Sequence, residues 1–405
     1  MKSRRIYVRA GLVDQAFVSV AGLLQSVVVF RAASASEAVQ YSVAFIAYTI
    51  ALSMGRSLTS EPLAAFGRAS SREASNLGAL VRAHALVGAL TAAVAMSATS
   101  AIFGGVSTLA VVFSVGAVCA VALDAVRTTF IASGDSSTAA AMSALLLGGV
   151  AIGALASVLT GNPVYVVAAW GTAALLLLAA KVRPFTKIGM ASLRPESFNP
   201  LAEFSVTSGA TQVGALLATH LLSQEVALVQ RVGATAAGPY TAFFQGVSLL
   251  AVPILAERLN HARRDSRRGM KSAVAAITTF LVLGTALGGW TLVAAPLLAK
   301  YGDQVFGESW PIVVPHLVPY VLSLAASAAA ASVFLVLRAS REKARSASIR
   351  ALGGALQVGI PIAMGLRFGV DGFYYGAAGA STLVFAVGIA AILRLPQRFD
   401  AAERS

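Results

Sequence analysis

Twelve apolar runs, each near 20 residues and with little chain between them, limit what this 405-residue sequence can fold into. They lie at roughly 11–30, 38–60, 78–103, 106–127, 137–160, 163–182, 201–223, 232–256, 272–299, 311–337, 351–368 and 373–393. A helix needs about 20 apolar residues to cross the hydrocarbon core of a bilayer. Inside lipid the backbone must bond to itself, so such runs become helices. No connection is long enough for a soluble domain. Charged residues make up only 12%, against about 25% in soluble domains. The fold class expected is an all-α polytopic membrane protein of about twelve transmembrane helices.

The first run could be mistaken for a cleaved leader, because MKSRRIYVRA is basic and small residues follow Phe30. It is about 20 residues long and starts with Asp14 and Gln15. A retained transmembrane helix is therefore the expectation. The net charge of +14 does not point to nucleic acid, since the basic residues are dispersed in short connections. Cytoplasmic loops of membrane proteins carry the excess of Lys and Arg. With the N-terminus inside, the outer side keeps only Arg31, Arg231, Lys300 and Arg367 of the 31 basic residues. Both termini are thus expected in the cytoplasm, and the location is a bacterial inner (plasma) membrane.

The stretch RPFTKIGMASLRPESFNP (183–200), rich in Pro, Ser and charge, reads as a linker. It divides the chain into an N-terminal six-helix bundle (1–183), a cytoplasmic linker (184–200), a C-terminal six-helix bundle (201–394) and a cytoplasmic tail (395–405). Repeated halves are common in transporters. FIASGDSSTAA (130–140) and LRASREKARSA (337–347) share a small-residue frame that sets Asp135 opposite Glu342. Pro239, Pro253, Pro311, Pro315, Pro319 and Pro361 mark kink sites in the second half. Gly148, Gly149 and Gly153 allow close helix packing.

Ionisable residues inside these runs are the candidate functional groups, because a charge at membrane depth costs roughly 2.5–3.5 kcal/mol on insertion scales. Asp14, beside Gln15, is either a proton- or sodium-coupling carboxylate or a hydrated group near the interface that helps start the helix. Arg56 either offers a guanidinium to an anionic head group or snorkels to the surface. Glu61, followed by Pro62, reads as a helix terminator and a partner for a nearby cation. Asp124 and Arg127, spaced i, i+3, share a helix face. Either they neutralise each other, or Arg127 reaches substrate while Asp124 orients it. His84 and His316 read as packed or interfacial histidines. The basic run 258–271 is a topology determinant with some attraction for anionic lipid head groups. The single cysteine, Cys119, forbids an intrachain disulfide and suggests no zinc site. No catalytic motif, cofactor motif or metal cluster stands out, and the reading is not that of an enzyme.

The run LVDQAFVSVAGLLQSVVVFRAASASEAVQYSVAFIAYTIALSMGRSLTSEPL resembles the first two helices of bacterial polysaccharide-export flippases. These are the Wzx-type branch of the multidrug/oligosaccharidyl-lipid/polysaccharide exporter superfamily, in an actinobacterial flavour. Asp14-Gln15, Arg31-Ala32, Arg56, Glu61-Pro62, Arg127, Trp170-Gly171 and FGESW (306–310) carry the likeness. AVQYS (38–42) replaces a usual glycine. The resemblance implies a MATE/Wzx-like pair of six-helix bundles around a cavity that opens alternately to each side. It implies a polyprenyl-pyrophosphate-linked oligosaccharide as substrate, moved from inner to outer leaflet. Arg56, Arg127, Gln15 and Glu61 are then the substrate-binding candidates, and Asp14 and Asp124 the ion-coupling ones. Membrane lipids, and H+ or Na+ as coupling ion, are the implied partners. A multidrug-type cation antiporter of the same fold is the alternative; an integral-membrane enzyme on lipid-linked glycans and a nontransporting scaffold rank below it.

Overall fold

Backbone groups that cannot reach water satisfy one another along the chain axis, and all regular structure among the described residues is helical. The computed structural model describes residues 2–58, 77–133, 135–182, 210–244, 246–247, 255, 268–339 and 343–394. The first six helices are α1 (Lys2–Ala32), α2 (Ala35–Leu58), α3 (Leu77–Phe103), α4 (Thr108–Ser133), α5 (Ser136–Thr160) and α6 (Val164–Val182). They follow the first six apolar runs closely, except that α1 continues back to Lys2. Next come α7 (Ala210–Leu221), α8 (Glu225–Ala236), α9 (Arg268–Phe306) and α10 (Leu317–Ala339). The last stretch, Lys343–Leu393, is broken at Gly369, where φ is 69° and ψ is −153°. Its two parts are α11 (343–368) and α12 (370–393). The linker at 184–200, Glu61-Pro62, Pro253, Glu342 and the tail at 395–405 lie outside the described residues.

Local chemistry sets the helix ends. Ser34 and Glu37 form a capping box at the start of α2, with Ser34 N donating to Glu37 Oε2 at 3.1 Å and Glu37 N to Ser34 Oγ at 3.4 Å. Asp135 caps α5 by accepting from Thr138 N at 3.2 Å. The Thr138 hydroxyl, then that of Ser137, hold the Asp135 carboxyl below its ordinary range. Pro311 and Pro315 sit in the first turn of short helical pieces at Trp310–Val313 and Val314–His316. A proline's missing N–H is least costly there. Pro361 lies inside Lys343–Leu393 and Pro296 inside α9.

Eight segments of the described residues are long and apolar enough to cross a membrane. Large apolar side chains such as Ile152, Leu159 and Leu292 are exposed on them, as befits a surface solvated by lipid. The chain is a multi-pass membrane protein. Helices α1–α6 pack on one another, with α1 against α5, α4 against α6 and α5 against α6. Helices α7–α12 form the second group, with α10 against the α11–α12 pair and α7 packed on that pair as well. The groups meet where α2 touches α7 and α8, and where α1 touches α8 and α9.

Small residues decide how closely helices approach. Trp170 stacks on Phe113 at 5.2 Å between centroids. Beside it, a Cβ on Gly171 would lie 2.8 Å from the Gly116 Cα, so both glycines are needed for α4 to meet α6. On α5, a Cβ at Gly153 would lie 2.8 Å from both Tyr165 O and Val166 Cα, whereas one at Gly148 would touch nothing. Gly153→Ala is therefore expected to destabilise the protein by about 1–3 kcal/mol, the usual cost of overpacking. Gly148→Ala should leave it unchanged. Unfolding of the two variants in detergent, followed by helix loss, checks the difference.

Candidate functional site

Asp14 is 1% exposed and Arg127 6%, although neither lies near a chain terminus of its helix. Three helices of the first group bring their partners together. Asp14 comes from α1, Asp124 and Arg127 from successive turns of α4, and Ser143 from α5. Arg127 Nη2 donates to Asp124 Oδ1 at 2.6 Å, the pairing that an i, i+3 spacing permits. Its Nη1 lies 3.4 Å from Asp14 Oδ2. The Ser143 hydroxyl donates to Asp14 Oδ1 at 2.6 Å and accepts from Arg127 Nη1 at 3.5 Å. Two carboxylates thus surround one guanidinium, and a hydroxyl bridges the far carboxylate to the same cation. Such a trio carries a formal charge of −1 when all members are ionised.

The other sequence candidates are placed more loosely. Gln15 is buried beside Asp14 and directs its Nε2 to Ser19 Oγ at 3.5 Å. Arg56 lies in the last turn of α2. Glu61 lies outside the described residues. His84 is buried against Gly55 of α2, where the ring leaves no room for a Cβ. His316 is paired: its Nδ1 is 2.7 Å from Asp371 Oδ1 and its Nε2 3.8 Å from Glu225 Oε2. That links the turn before α10 to the starts of α8 and α12.

Arg231 departs from the sequence expectation. Read as part of an outer connection, it is instead an interior residue of α8 and only 8% exposed. Glu225, Gln230 and Arg231 dilute the apolar run, so a hydropathy window starts the helix at 232 when it starts at Glu225. The guanidinium crosses to the first helix group. Its Nη2 donates to Ser26 Oγ and, at 3.5 Å, to Gly22 O of α1. Its Cζ lies 3.3 Å from the centroid of the Phe45 ring of α2. Arg231 Nε is buried and has no acceptor. Hydroxyl, carbonyl and ring face are its partners among the described residues, with no carboxylate among them. Ser143 was equally illegible: one serine in a small-residue helix gives no signal until α5 is packed on α1.

No family model matches the sequence, and no curated protein matches it. Solved structures do match in fold. A MATE transporter from Vibrio cholerae, solved as an aspartate-to-asparagine mutant, gives a TM-score of 0.60 at 16% identity, over 96% of this chain and 95% of that one. A transporter of the MOP superfamily from Pyrococcus furiosus gives 0.64 at 14% identity, over 97% of each chain. It is described as having a binding pocket of reverse polarity that suggests a different function. An outward-facing multidrug resistance MATE family transporter gives 0.63 at 14% identity, over 97% of each. The chain therefore has the fold of MATE transporters.

Breaking a buried ion pair by removing one member costs about 3–5 kcal/mol, because the other charge is stranded. Arg127→Met should lose that much stability, and Asp14→Asn added to it should restore a measurable part. Thermal unfolding of the single and double variants in detergent checks the order.

Proposed function

We propose that this protein is a membrane transporter working by alternating access, which flips a polyprenyl-pyrophosphate-linked oligosaccharide or related polysaccharide precursor. The observation that carries the reading is Arg231, a buried guanidinium at the meeting of the two helix groups, with no carboxylate among its partners in the described residues and an Nε–H to spare. A guanidinium binds phosphate oxygens in pairs. An anionic head group is its natural ligand, and the lipid tail stays in the bilayer while the head group crosses. Transport of this kind needs no covalent chemistry, only a site whose exposure switches.

Within this reading Arg56, Gln15, Glu61 and Arg127 remain the sequence-derived candidates for the substrate path. Arg127 enters it only by leaving two carboxylates. Asp14 and Asp124, buried carboxylates beside Arg127, suit the coupling role, with H+ or Na+ as the ion. The direction is inner to outer leaflet of a bacterial inner membrane, with both termini cytoplasmic, as the Lys/Arg distribution indicates.

The acidic trio around Arg127 favours a second reading, a cation antiporter of the same fold. Flipping in proteoliposomes separates the two, using a fluorescent polyprenyl-pyrophosphate sugar and a reagent that quenches only the outer leaflet. Wild type should flip the lipid, and Arg231→Gln should slow it about ten-fold or more, the worth of a hydrogen bond to a charged group. Asp14→Asn should abolish dependence on an ion gradient. Extrusion of organic cations with no lipid flipping would hand the function to the antiporter reading.

A further inference from the structure

Arg231 is not open to a ligand in this structure, and what covers it is the protein itself. Gly22 O and Ser26 Oγ stand one turn apart on α1, and the Phe45 ring stands on α2. The cation belongs to α8, in the second helix group. Its immediate shell therefore comes from the other half of the molecule. A carbonyl, a hydroxyl and a π face each mimic part of what an anion would supply. None cancels the charge, and Nε keeps an unused proton.

We propose that Gly22, Ser26 and Phe45 act as a built-in stand-in for an anionic ligand, so that Arg231 pins the two halves together until a phosphate or pyrophosphate group displaces them. This rests on the anionic head-group reading above and assigns the regulation of that same site. While the halves touch, the guanidinium is desolvated and only partly compensated. When they part, it regains its full set of donors and can bind an anion in pairs. An anion that binds only the parted form shifts the population toward it by mass action. The pin thus makes parting depend on cargo.

The pinned region continues toward the α1–α2 turn, where Phe30 meets Phe306 and Ala35 N donates to Glu308 Oε2 at 3.2 Å. Residues 22, 26 and 29 share a face of α1, and Ala33, just past the helix end with its N–H on Val29 O at 2.8 Å, is buried in that region, so a reporter there reads whether the halves have parted.

The test uses full-length protein in vesicles with Cys119→Ser, which removes the one native cysteine, and Ala33→Cys as reporter. Labelling by a membrane-impermeant maleimide is followed with and without inorganic pyrophosphate on both sides. A parallel arm replaces the free anion with a polyprenyl-pyrophosphate lipid in the vesicle. Pyrophosphate in either form should speed labelling, and Arg231→Gln should remove that response. Ser26→Ala and Phe45→Leu, on different helices, should each raise labelling without anion and lower the concentration of pyrophosphate needed, by about ten-fold for Ser26→Ala. Response to the lipid alone assigns the ligand to the membrane, and response to the free ion alone assigns it to solution. Both keep the pin. Unchanged labelling in both Ser26→Ala and Phe45→Leu, with the Arg231-dependent pyrophosphate response intact, overturns the pin and leaves the head-group reading standing. Faster labelling in those variants with no response to either pyrophosphate overturns the release step together with the reading on which it rests.

Discussion

A charge placed away from water has to be met by a partner, on its own helix or on a neighbouring one. That constraint organises this protein. Arg127 is held by Asp124 one turn back on its own helix and by Asp14 from α1, with Ser143 of α5 closing the group. Three helices of the first half are thereby fixed in register by four side chains. Van der Waals packing alone would not choose that register, since α5 and α6 offer alanine and glycine at nearly every turn.

Arg127 and Arg231, the two buried arginines among the described residues, answer the same constraint in opposite ways. Arg127 is neutralised within its half, by carboxylates of α1 and α4. Arg231 is held across the halves by groups that solvate without neutralising it. The first arrangement suits a part that must stay assembled. The second suits a contact that must break, because its partners are separable and its charge is better served elsewhere.

Close packing and bending divide along similar lines. Where α4 meets α6, and α5 meets α6, a single added methyl group would strike backbone, so these contacts behave as one rigid unit. In the second half, Pro296 and Pro361 sit inside helices and Gly369 breaks the last stretch at a left-handed φ. Freed carbonyls and turns are concentrated there. His316 ties the turn before α10 to α8 and α12 through Glu225 and Asp371, a polar clasp beside the most irregular backbone in the described chain.

Membrane class, helix number and most helix limits were set by the sequence itself, because lipid leaves the backbone one way to bond and about 20 apolar residues announce it. The pairing of Asp124 with Arg127 was likewise legible, since i, i+3 neighbours share a face whatever surrounds them. The approach of Asp14 to that pair, the hydroxyl of Ser143 between them and the burial of Arg231 were decided only by tertiary packing. Each joins residues more than a hundred positions apart in the chain. Arg231 shows why hydropathy misplaced it: a window averages over neighbours, and Glu225, Gln230 and Arg231 together look like a loop. Only the face of α1 that carries Gly22 and Ser26, and the ring of Phe45, turn that polar helix start into an interior one.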